Sequence, residues 1–343
     1  MVGIVDVAKM AKVSTATVSR VLSNNMNVSS KTRDRVLKAV NKLEYKPNRL
    51  ASNLRKMSSK TVMAVVPDIT NPFFSSILQG FKDVALEFGY HVLLGDTGNS
   101  LEQERDYINL VKERVVDGLI LATARLPKEE ILAASQEIPV VLACEYIDGF
   151  DIPTVSIDNV SAGREAVEHL IRLGHRRIGM ITGPLDVILS KDRVKGYYQA
   201  LNLNEIPIEG VLIQEGNFSV TSGYETMLKL LALKDPPTAV FATNDEMAVG
   251  AMKAIKQRGL QVPNDISVIG FDDIPLCGLV EPELTSVSQP RYDMGYQAMQ
   301  MLLSIIKKEE LTRNQIVLPH RLMIRNTCRT YSSFLGEKKL KVY

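Results

Sequence analysis

Several loops carry side chains that could bind a hydroxylated small molecule. Each follows a short apolar run, and together they supply aromatic rings, an arginine and several carboxylate or amide groups: Pro67–Phe74, Asp192–Arg193, Gly216–Phe218, Thr243–Glu246 and Gly270–Asp273. Aromatic rings stack on the apolar face of a ring, and arginine, aspartate and asparagine hydrogen-bond to hydroxyl groups. This composition indicates a cleft for a polyhydroxylated, ring-containing ligand.

Residues suited to catalysis show no catalytic spacing. The four histidines and three cysteines are scattered along the chain: His91, His169, His175, His320, Cys144, Cys277 and Cys328. The sequence contains no HExxH, GxSxG or GxxxxGK[ST] motif, and no GxGxxG follows a predicted strand. We therefore predict no enzyme activity, no cofactor and no metal site. The cysteine usage and the lack of a secretory signal or a 20-residue apolar run predict a cytoplasmic protein without a membrane segment.

A different chemistry is indicated near the N-terminus. Ser14 is placed to cap a short helix from Thr15 to about Leu22, whose inward face carries Val18, Val21 and Leu22. Its other face is small or polar, with Thr15, Ala16, Thr17, Ser19 and Arg20. Small side chains allow close approach to a DNA groove, and an arginine suits guanine or phosphate. With the preceding helix and its tight turn, this pattern predicts a helix-turn-helix.

The charge distribution supports a polyanion-binding N-terminal module. Residues 1–60 contain 13 Lys and Arg against 3 Asp and Glu, a net charge of +10. The remaining residues contain 28 basic against 36 acidic side chains, a net charge of −8. A basic module attached to an acidic body is the electrostatic pattern expected of a DNA-binding protein with a separate sensing domain.

The first 55 residues resemble the DNA-binding headpiece of the LacI/GalR family. The resemblance covers the segment "IVDVAKMAKVSTATVSRVLSNNMNVSSKTRDRVLKAVNKLEYKPNRLASNLR". It implies major-groove contacts at Thr15, Ala16 and Arg20. It implies phosphate contacts at Ser14, Thr17, Ser19, Ser23, Asn27, Thr32 and Asn48. It also implies a hinge helix over residues 48–55 whose Leu54 enters the minor groove and kinks the duplex.

The binding loops need a scaffold, and the remaining sequence predicts one. Ten short apolar runs form two series, the first from Val62–Pro67 to Val155–Ile157 and the second from Ile178–Thr182 to Ser286–Ser288. Longer amphipathic segments such as Ser75–Phe88 separate them. Nearly continuous apolar strands alternating with helices predict parallel sheets covered on both faces. The fold class is therefore an all-α headpiece followed by two doubly wound α/β lobes, with ligand at the carboxyl ends of the strands.

The body, residues 61–330, resembles the sensor core of the same family, which is shared with periplasmic sugar-binding proteins. The resemblance implies effector contacts at Phe73, Phe74, Asp158, Arg193, Phe218, Asn244 and Asp272. It predicts a headpiece over 1–47, a hinge and linker over 48–60, and a tail over 331–343. The first lobe is predicted over 61–159 and 291–318, and the second over 160–290 and 319–330.

The family resemblance predicts a transcription regulator, in particular a repressor. It would bind a near-palindromic double-stranded DNA operator as a homodimer, under the control of a small molecule held between the lobes. Strings such as "PDITNPFFSSILQGF" and "EGNFSVTSG" resemble the nucleoside-responsive repressors of the family, although the hinge "NRLASNLRK" is of the regular family type. We therefore rank a nucleoside or pentose first and another sugar or sugar phosphate second. A phosphocarrier protein as corepressor is the third alternative, because "LPHRLMIRNT" and "DEMAVGAM" resemble catabolite control proteins.

Overall fold

The computed structural model describes residues 2–22, 28–45 and 58–331. The chain divides into two compact units, residues 1–60 and residues 61–343. Each unit has its own hydrophobic core, so each is described separately.

The described residues of the N-terminal unit form three helices: α1 (Ile4–Ala11), α2 (Thr15–Leu22) and α3 (Ser30–Lys42). Each helix contributes apolar side chains to one small core, made of Val7, Ala8, Ala11, Val18, Val21, Val36 and Ala39. Helical spacing places these residues on single faces, which leaves the opposite faces exposed.

The turn between α1 and α2 is tight because two residues end one helix and begin the next. Lys12 adopts a left-handed conformation with φ of 49° and closes α1. Two residues later, the Ser14 hydroxyl accepts a hydrogen bond from the backbone N–H of Thr17 at 3.1 Å. The predicted N-cap is thus confirmed, and it satisfies a backbone donor that the helix itself cannot.

The first lobe of the larger unit is built on a six-stranded sheet in the order β11-β5-β4-β3-β1-β2, parallel throughout. Its strands are β1 (Thr61–Val66), β2 (His91–Asp96), β3 (Leu119–Leu121), β4 (Val140–Ala143), β5 (Thr154–Ile157) and β11 (Gln315–Leu318). Its helices are α4 (Phe73–Glu87), α5 (Leu101–Lys112), α6 (Lys128–Glu137) and α11 (Arg291–Ile306). Strands β1, β3 and β4 are almost wholly buried because helices cover both faces of the sheet.

The second lobe has a similar six-stranded sheet in the order β12-β10-β9-β8-β6-β7. Its strands are β6 (Ile178–Thr182), β7 (Ile213–Glu215), β8 (Ala239–Ala242), β9 (Ser267–Asp272), β10 (Thr285–Ser288) and β12 (Arg321–Met323), of which β12 is antiparallel to β10. Its α-helices are α7 (Asn159–Arg172), α8 (Ile188–Leu203), α9 (Val220–Leu231) and α10 (Asp245–Gln257). Two short 3-10 helices complete it, Gly210–Leu212 and Pro275–Gly278.

The chain passes between the lobes three times: between β5 and α7, between β10 and α11, and between β11 and β12. Each lobe is therefore assembled from separate segments of sequence. The predicted fold class is confirmed, since a helical N-terminal unit precedes two α/β lobes with parallel sheets. Among the described helices, none is long and apolar enough to cross a membrane.

Helices α4 and α11 of the first lobe approach so closely that only glycine fits at their crossing. A Cβ at Gly295 would lie well inside the contact distance of the Ile77 carbonyl oxygen, and a Cβ at Gly80 would meet the Tyr292 carbonyl oxygen. Backbone atoms cannot move aside as a flexible side chain can. The two glycines therefore determine how near α11 lies to α4.

We expect Gly295→Ala to lower the free energy of unfolding by about 1–3 kcal/mol, because the methyl group would force the two helices apart. Urea denaturation of the full chain measures this effect. Gly210→Ala is the matched control, since an added Cβ there meets nothing within 4 Å. Equal effects of the two substitutions would contradict the close-packing account.

Candidate functional site

A cleft between the two lobes collects the loops at the carboxyl ends of the parallel strands. The first lobe contributes the loops after β1, β2, β3 and β4. The second lobe contributes the loops after β6, β7 and β8 and the end of β9. The cleft has a volume of about 910 Å³ and is lined from both lobes. Doubly wound sheets bind ligands at this edge, because their loops converge there.

A buried arginine forms the centre of the second-lobe wall. Arg193, on α8, is 3% exposed, and its guanidinium lies 3.7 Å from the centre of the Phe271 ring. Its Nε donates to Asn159 Oδ1 at 3.0 Å, and its Nη1 donates to the carbonyl oxygen of Thr243. Its Nη2 lies 3.9 Å from Asp272 Oδ1. The guanidinium is thus held rigidly, with its charge offset by a cleft-lining carboxylate.

The loop that presents Asp272 is held by a second buried carboxylate. Asp272 has φ of 110° and accepts a hydrogen bond from Gln289 Nε2 at 2.6 Å. Asp245, the first residue of α10, accepts from the Ile274 backbone N–H at 2.9 Å and from the Ser286 hydroxyl at 2.6 Å. Burial raises the pKa of both carboxyls above its ordinary value. Asp245 therefore positions the loop, and Asp272 faces the cleft.

Aromatic residues line the cleft from both lobes. Phe73 and Phe74 of the first lobe meet edge to face, with ring centroids 5.1 Å apart and planes at 82°. Asn71 Oδ1 accepts from the Phe73 backbone N–H at 2.9 Å and thereby holds the start of α4. In the second lobe, Asn244 Nδ2 donates to the Phe218 carbonyl oxygen at 2.8 Å. Gly183 packs against the Phe218 ring, where a larger residue would displace it.

Four of the cleft-lining residues have a backbone conformation that side chains rarely adopt. Asn99, Cys144, Phe218 and Asp272 have φ values of 63°, 71°, 67° and 110°. Such conformations persist only where surrounding contacts enforce them, and they concentrate at ligand-binding positions. Their clustering here supports a binding role for the cleft.

The first-lobe wall contains two buried acids. Glu145 follows β4 and accepts a hydrogen bond from the Ala124 backbone N–H at 3.0 Å. Glu104 on α5 accepts from the Arg125 backbone N–H at 3.1 Å. Burial is the largest cause that raises the pKa of both carboxyls, to about 7 for Glu104. The loop after β3 is therefore held between two acids that favour the protonated form.

Two polar contacts join the lobes across the cleft. The Tyr146 hydroxyl of the first lobe donates to Asp192 Oδ2 of the second at 2.8 Å. Arg125 Nη1 lies 3.9 Å from Asp186 Oδ1, a longer and more exposed ion pair. A change in the angle between the lobes would alter both contacts.

Six of the seven residues expected to bind an effector line this cleft: Phe73, Phe74, Arg193, Phe218, Asn244 and Asp272. Asp158 is not among the lining residues, because its carboxylate turns back to cap α7 by accepting from the Ser161 backbone N–H at 2.9 Å. Sequence reasoning missed Glu145, Tyr146 and Arg125, which also line the cleft. Their position directly after β3 and β4 is the signal that could have found them.

The expected DNA-contacting residues of the N-terminal unit lie mainly around one exposed helix face. Thr15, Ala16 and Arg20 are exposed on α2, and Ser14 is exposed at its start. Thr17, Ser19 and Thr32 are half-buried. Four further expected contacts lie outside the described residues: Ser23, Asn27, Asn48 and Leu54.

A helix-turn-helix unit followed by a two-lobed unit with a polar interlobe cleft defines a ligand-responsive DNA-binding protein. The profile described as "Bacterial regulatory proteins, lacI family" matches residues 3–48. The profile described as "Periplasmic binding proteins and sugar binding domain of LacI family" matches residues 59–326. The chain belongs to the LacI family of bacterial transcription regulators.

Individual relatives agree along almost the whole chain. The chain is 41% identical to the transcriptional repressor CytR of Escherichia coli strain K12, covering 94% of this chain and 95% of the relative. It is 38% identical to catabolite control protein A of Priestia megaterium, covering 96% and 99%. The crystal structure of the lac repressor dimer bound to operator and an anti-inducer superposes with a TM-score of 0.86 at 30% identity, covering 96% and 99%. This protein is accordingly a regulator and not an enzyme.

The raised pKa of Glu104 predicts how the free energy of unfolding depends on pH. A carboxyl with a folded-state pKa of about 7 and a usual value of 4.5 stabilises the fold most at low pH, and this contribution is lost as the pH rises through about 7. Glu104→Gln stays neutral. Its free energy of unfolding relative to the parent should therefore rise by about 2–3 kcal/mol between about pH 5 and pH 8.

Urea denaturation at both pH values tests this prediction. Glu129→Gln, which replaces an exposed acid at the start of α6, is the matched control. The burial argument for Glu104 fails if its variant behaves like this control.

Proposed function

We propose that this regulator binds a near-palindromic operator as a homodimer in the cytoplasm and that an uncharged nucleoside or sugar in the interlobe cleft controls its operator affinity. The observation that carries the proposal is the fixed Arg193–Asp272 pair at the centre of a cleft lined by both lobes. Such a pair supplies donors and an acceptor for adjacent hydroxyl groups. A ligand that contacts both lobes has a different affinity for each lobe arrangement, which is the requirement for allosteric control.

The charge of the cleft favours an uncharged effector over a sugar phosphate. Six acids line it: Asp68, Glu145, Asp148, Asp186, Glu246 and Asp272. Three bases line it: Arg125, Lys128 and Arg193. Arg193 already faces Asp272, and Arg125 lies near Asp186. A phosphate would therefore meet an excess of like charge, which raises the free energy of binding.

The size and aromatic content of the cleft favour a ligand with more than one ring. Small-molecule sites have volumes of roughly 300–1,000 Å³, and this cleft lies near the upper end. Phe73 and Phe74 in the first lobe offer apolar ring surface, while Arg193 and Asp272 lie in the second. A pentose bonded to the second lobe with a base against the first would use both walls.

The N-terminal unit supports specific DNA binding through α2. We infer that Thr15, Ala16 and Arg20 face the major groove, because they share the exposed face of the second helix of a helix-turn-helix. Ser14, Thr17, Ser19 and Thr32 surround this face or its helix ends and suit phosphate contacts. The net charge of +10 over residues 1–60 predicts affinity that falls steeply with added salt.

The proposal that a small molecule binds the cleft is tested with Arg193→Lys. This substitution keeps the positive charge but removes the planar guanidinium group with its several N–H donors. We expect ribonucleosides or ribose to raise the melting temperature of the parent protein by mass action, and nucleoside monophosphates not to. In Arg193→Lys the effector affinity should fall at least about tenfold, because hydrogen bonds to charged groups contribute about 1.5–3 kcal/mol. Thermal shift and calorimetry measure both effects.

Arg172→Lys, at an exposed position on α7, is the matched control and should retain the parent's effector affinity. Operator affinity without effector should be unchanged in both variants. If no nucleoside or sugar shifts the melting temperature, the small-molecule proposal is wrong and the alternative of a protein corepressor gains support.

The DNA part is tested with Arg20→Ala. An operator is first selected from random duplexes, and affinities for it and for random DNA are then measured by fluorescence anisotropy at several salt concentrations. Arg20→Ala should weaken operator binding by about 1–3 kcal/mol and reduce the preference for operator over random DNA. Arg35→Ala, an exposed charge on α3, should weaken both DNAs alike. An unchanged operator preference in Arg20→Ala would show that Arg20 does not read bases.

A further inference from the structure

Glu145 is a cleft-lining acid that makes few hydrogen bonds within the fold. It follows β4 in the first lobe, and 5% of its surface is exposed. Among the hydrogen bonds of the described residues it accepts one, from the Ala124 backbone N–H. An ionised carboxylate offers about four acceptor positions, and burying it with so few partners is costly. Its position on the cleft wall suggests that a ligand supplies the hydrogen-bond partners that the fold does not.

The neighbouring acid Glu104 shows what a purely structural role looks like at this wall. Glu104 is fully buried and does not line the cleft, and its Oε2 accepts from the Arg125 backbone N–H at 3.1 Å. It thereby fixes the loop after β3. Glu145 shares this loop but adds only the Ala124 contact, so holding the loop does not account for a second buried acid.

The charges around Glu145 come from both lobes. In the first lobe, Arg125 favours the ionised form and Glu104 disfavours it. In the second lobe, Arg193 favours the ionised form and Asp186 disfavours it. Burial is the largest influence and raises the pKa of Glu145. A proton is therefore retained more readily here than on an exposed glutamate, and a protonated carboxyl presents one donor beside one acceptor.

We propose that Glu145 determines specificity by recognising the amidine edge of a nucleobase, in which a basic ring nitrogen lies beside an exocyclic amino group. Cytosine and adenine present this edge. The Glu145 hydroxyl donates to the ring nitrogen, and its carbonyl oxygen accepts from the amino group. The inference rests on the proposed function, since it names the ligand class of the same cleft.

Alternative ligand edges fit Glu145 less well. Uracil and hypoxanthine present a ring N–H beside a carbonyl oxygen, and a carbonyl is a far weaker base than a ring imine nitrogen, so the hydrogen bond from a carboxyl is weaker. A free pentose has no group to place at Glu145 when its hydroxyls bind Arg193 and Asp272. These two residues belong to the other lobe. The sugar therefore binds the second lobe, and the base binds the first.

The experiment measures the affinities of cytidine, adenosine, uridine and ribose by calorimetry for the parent, Glu145→Leu and Glu145→Gln. The parent should bind cytidine or adenosine about tenfold or more tightly than uridine and ribose, as expected for one additional satisfied hydrogen-bonded pair. Glu145→Leu should lose this margin while its affinity for ribose stays unchanged. Glu145→Gln should keep the margin, because its amide also presents a donor beside an acceptor.

A pH series separates recognition from a merely structural effect. In the parent, affinity for the favoured nucleoside should fall as the pH is raised across the series, because binding requires the proton on Glu145 and the raised pKa of this carboxyl lets it keep that proton at low pH. In Glu145→Gln the affinity should be flat over the same series, because the amide is neutral throughout. The matched control Glu129→Leu removes an exposed acid of the same lobe and should behave like the parent.

The outcomes distinguish this inference from the proposed function beneath it. If ribose and all three nucleosides bind the parent equally, or if Glu145→Leu keeps the parent's base preference, the inference is overturned while small-molecule control stands. If none of the four compounds binds the parent, the inference fails, and the proposed function fails with it when no other nucleoside or sugar shifts the melting temperature either. Three results together support the inference. Glu145→Leu loses the preference for cytidine or adenosine over uridine and ribose, and Glu145→Gln keeps it. Nucleoside affinity depends on pH in the parent and not in Glu145→Gln.

Discussion

The buried guanidinium of Arg193 is the interaction on which the sensing cleft depends. An arginine removed from water must have its donors satisfied, because an unpaired buried charge costs several kcal/mol. Asn159, the Thr243 carbonyl and Asp272 meet this requirement, and they come from α7, from the loop after β8 and from the end of β9. One side chain thus fixes the relative positions of three segments that are distant in sequence. The cleft wall is rigid because its central charge leaves few alternative arrangements.

The acids around the cleft follow from the same constraint. Asp272 offsets the charge of Arg193, and Asp245 holds the loop that presents Asp272. Two carboxyls so close together and so deeply buried cannot both ionise freely, which is why burial and their mutual repulsion raise the pKa of Asp245. On the opposite wall, Glu104 and Glu145 repeat the arrangement of one structural acid and one cleft-lining acid. The cleft therefore has an acidic lining in which protonation and ligand binding are linked.

The sequence predicts the fold better than it predicts the site. Strands β6 and β8 match their predictions residue for residue, because a buried parallel strand requires an uninterrupted apolar run. β12 has only three residues, alternately exposed and half-buried, and so has no comparable signal. In the cleft, a residue after a strand can cap the next helix or face the ligand. The aspartate at 158 satisfies both descriptions, and in the structure its Oδ1 accepts a hydrogen bond from the Ser161 N–H at the start of α7.

Control of DNA binding requires that the cleft have more than one arrangement. The Tyr146–Asp192 hydrogen bond joins the lobes directly, and the Arg125–Asp186 pair adds a weaker, solvent-screened contribution. One neutral-to-charged hydrogen bond contributes about 1.5–3 kcal/mol, comparable to the coupling free energies of about 1–3 kcal/mol typical of allosteric proteins. A ligand lying between Glu145 and Arg193 contacts both lobes beside these bridges. It can therefore shift the lobe equilibrium by its own differential contacts without any large rearrangement of either lobe.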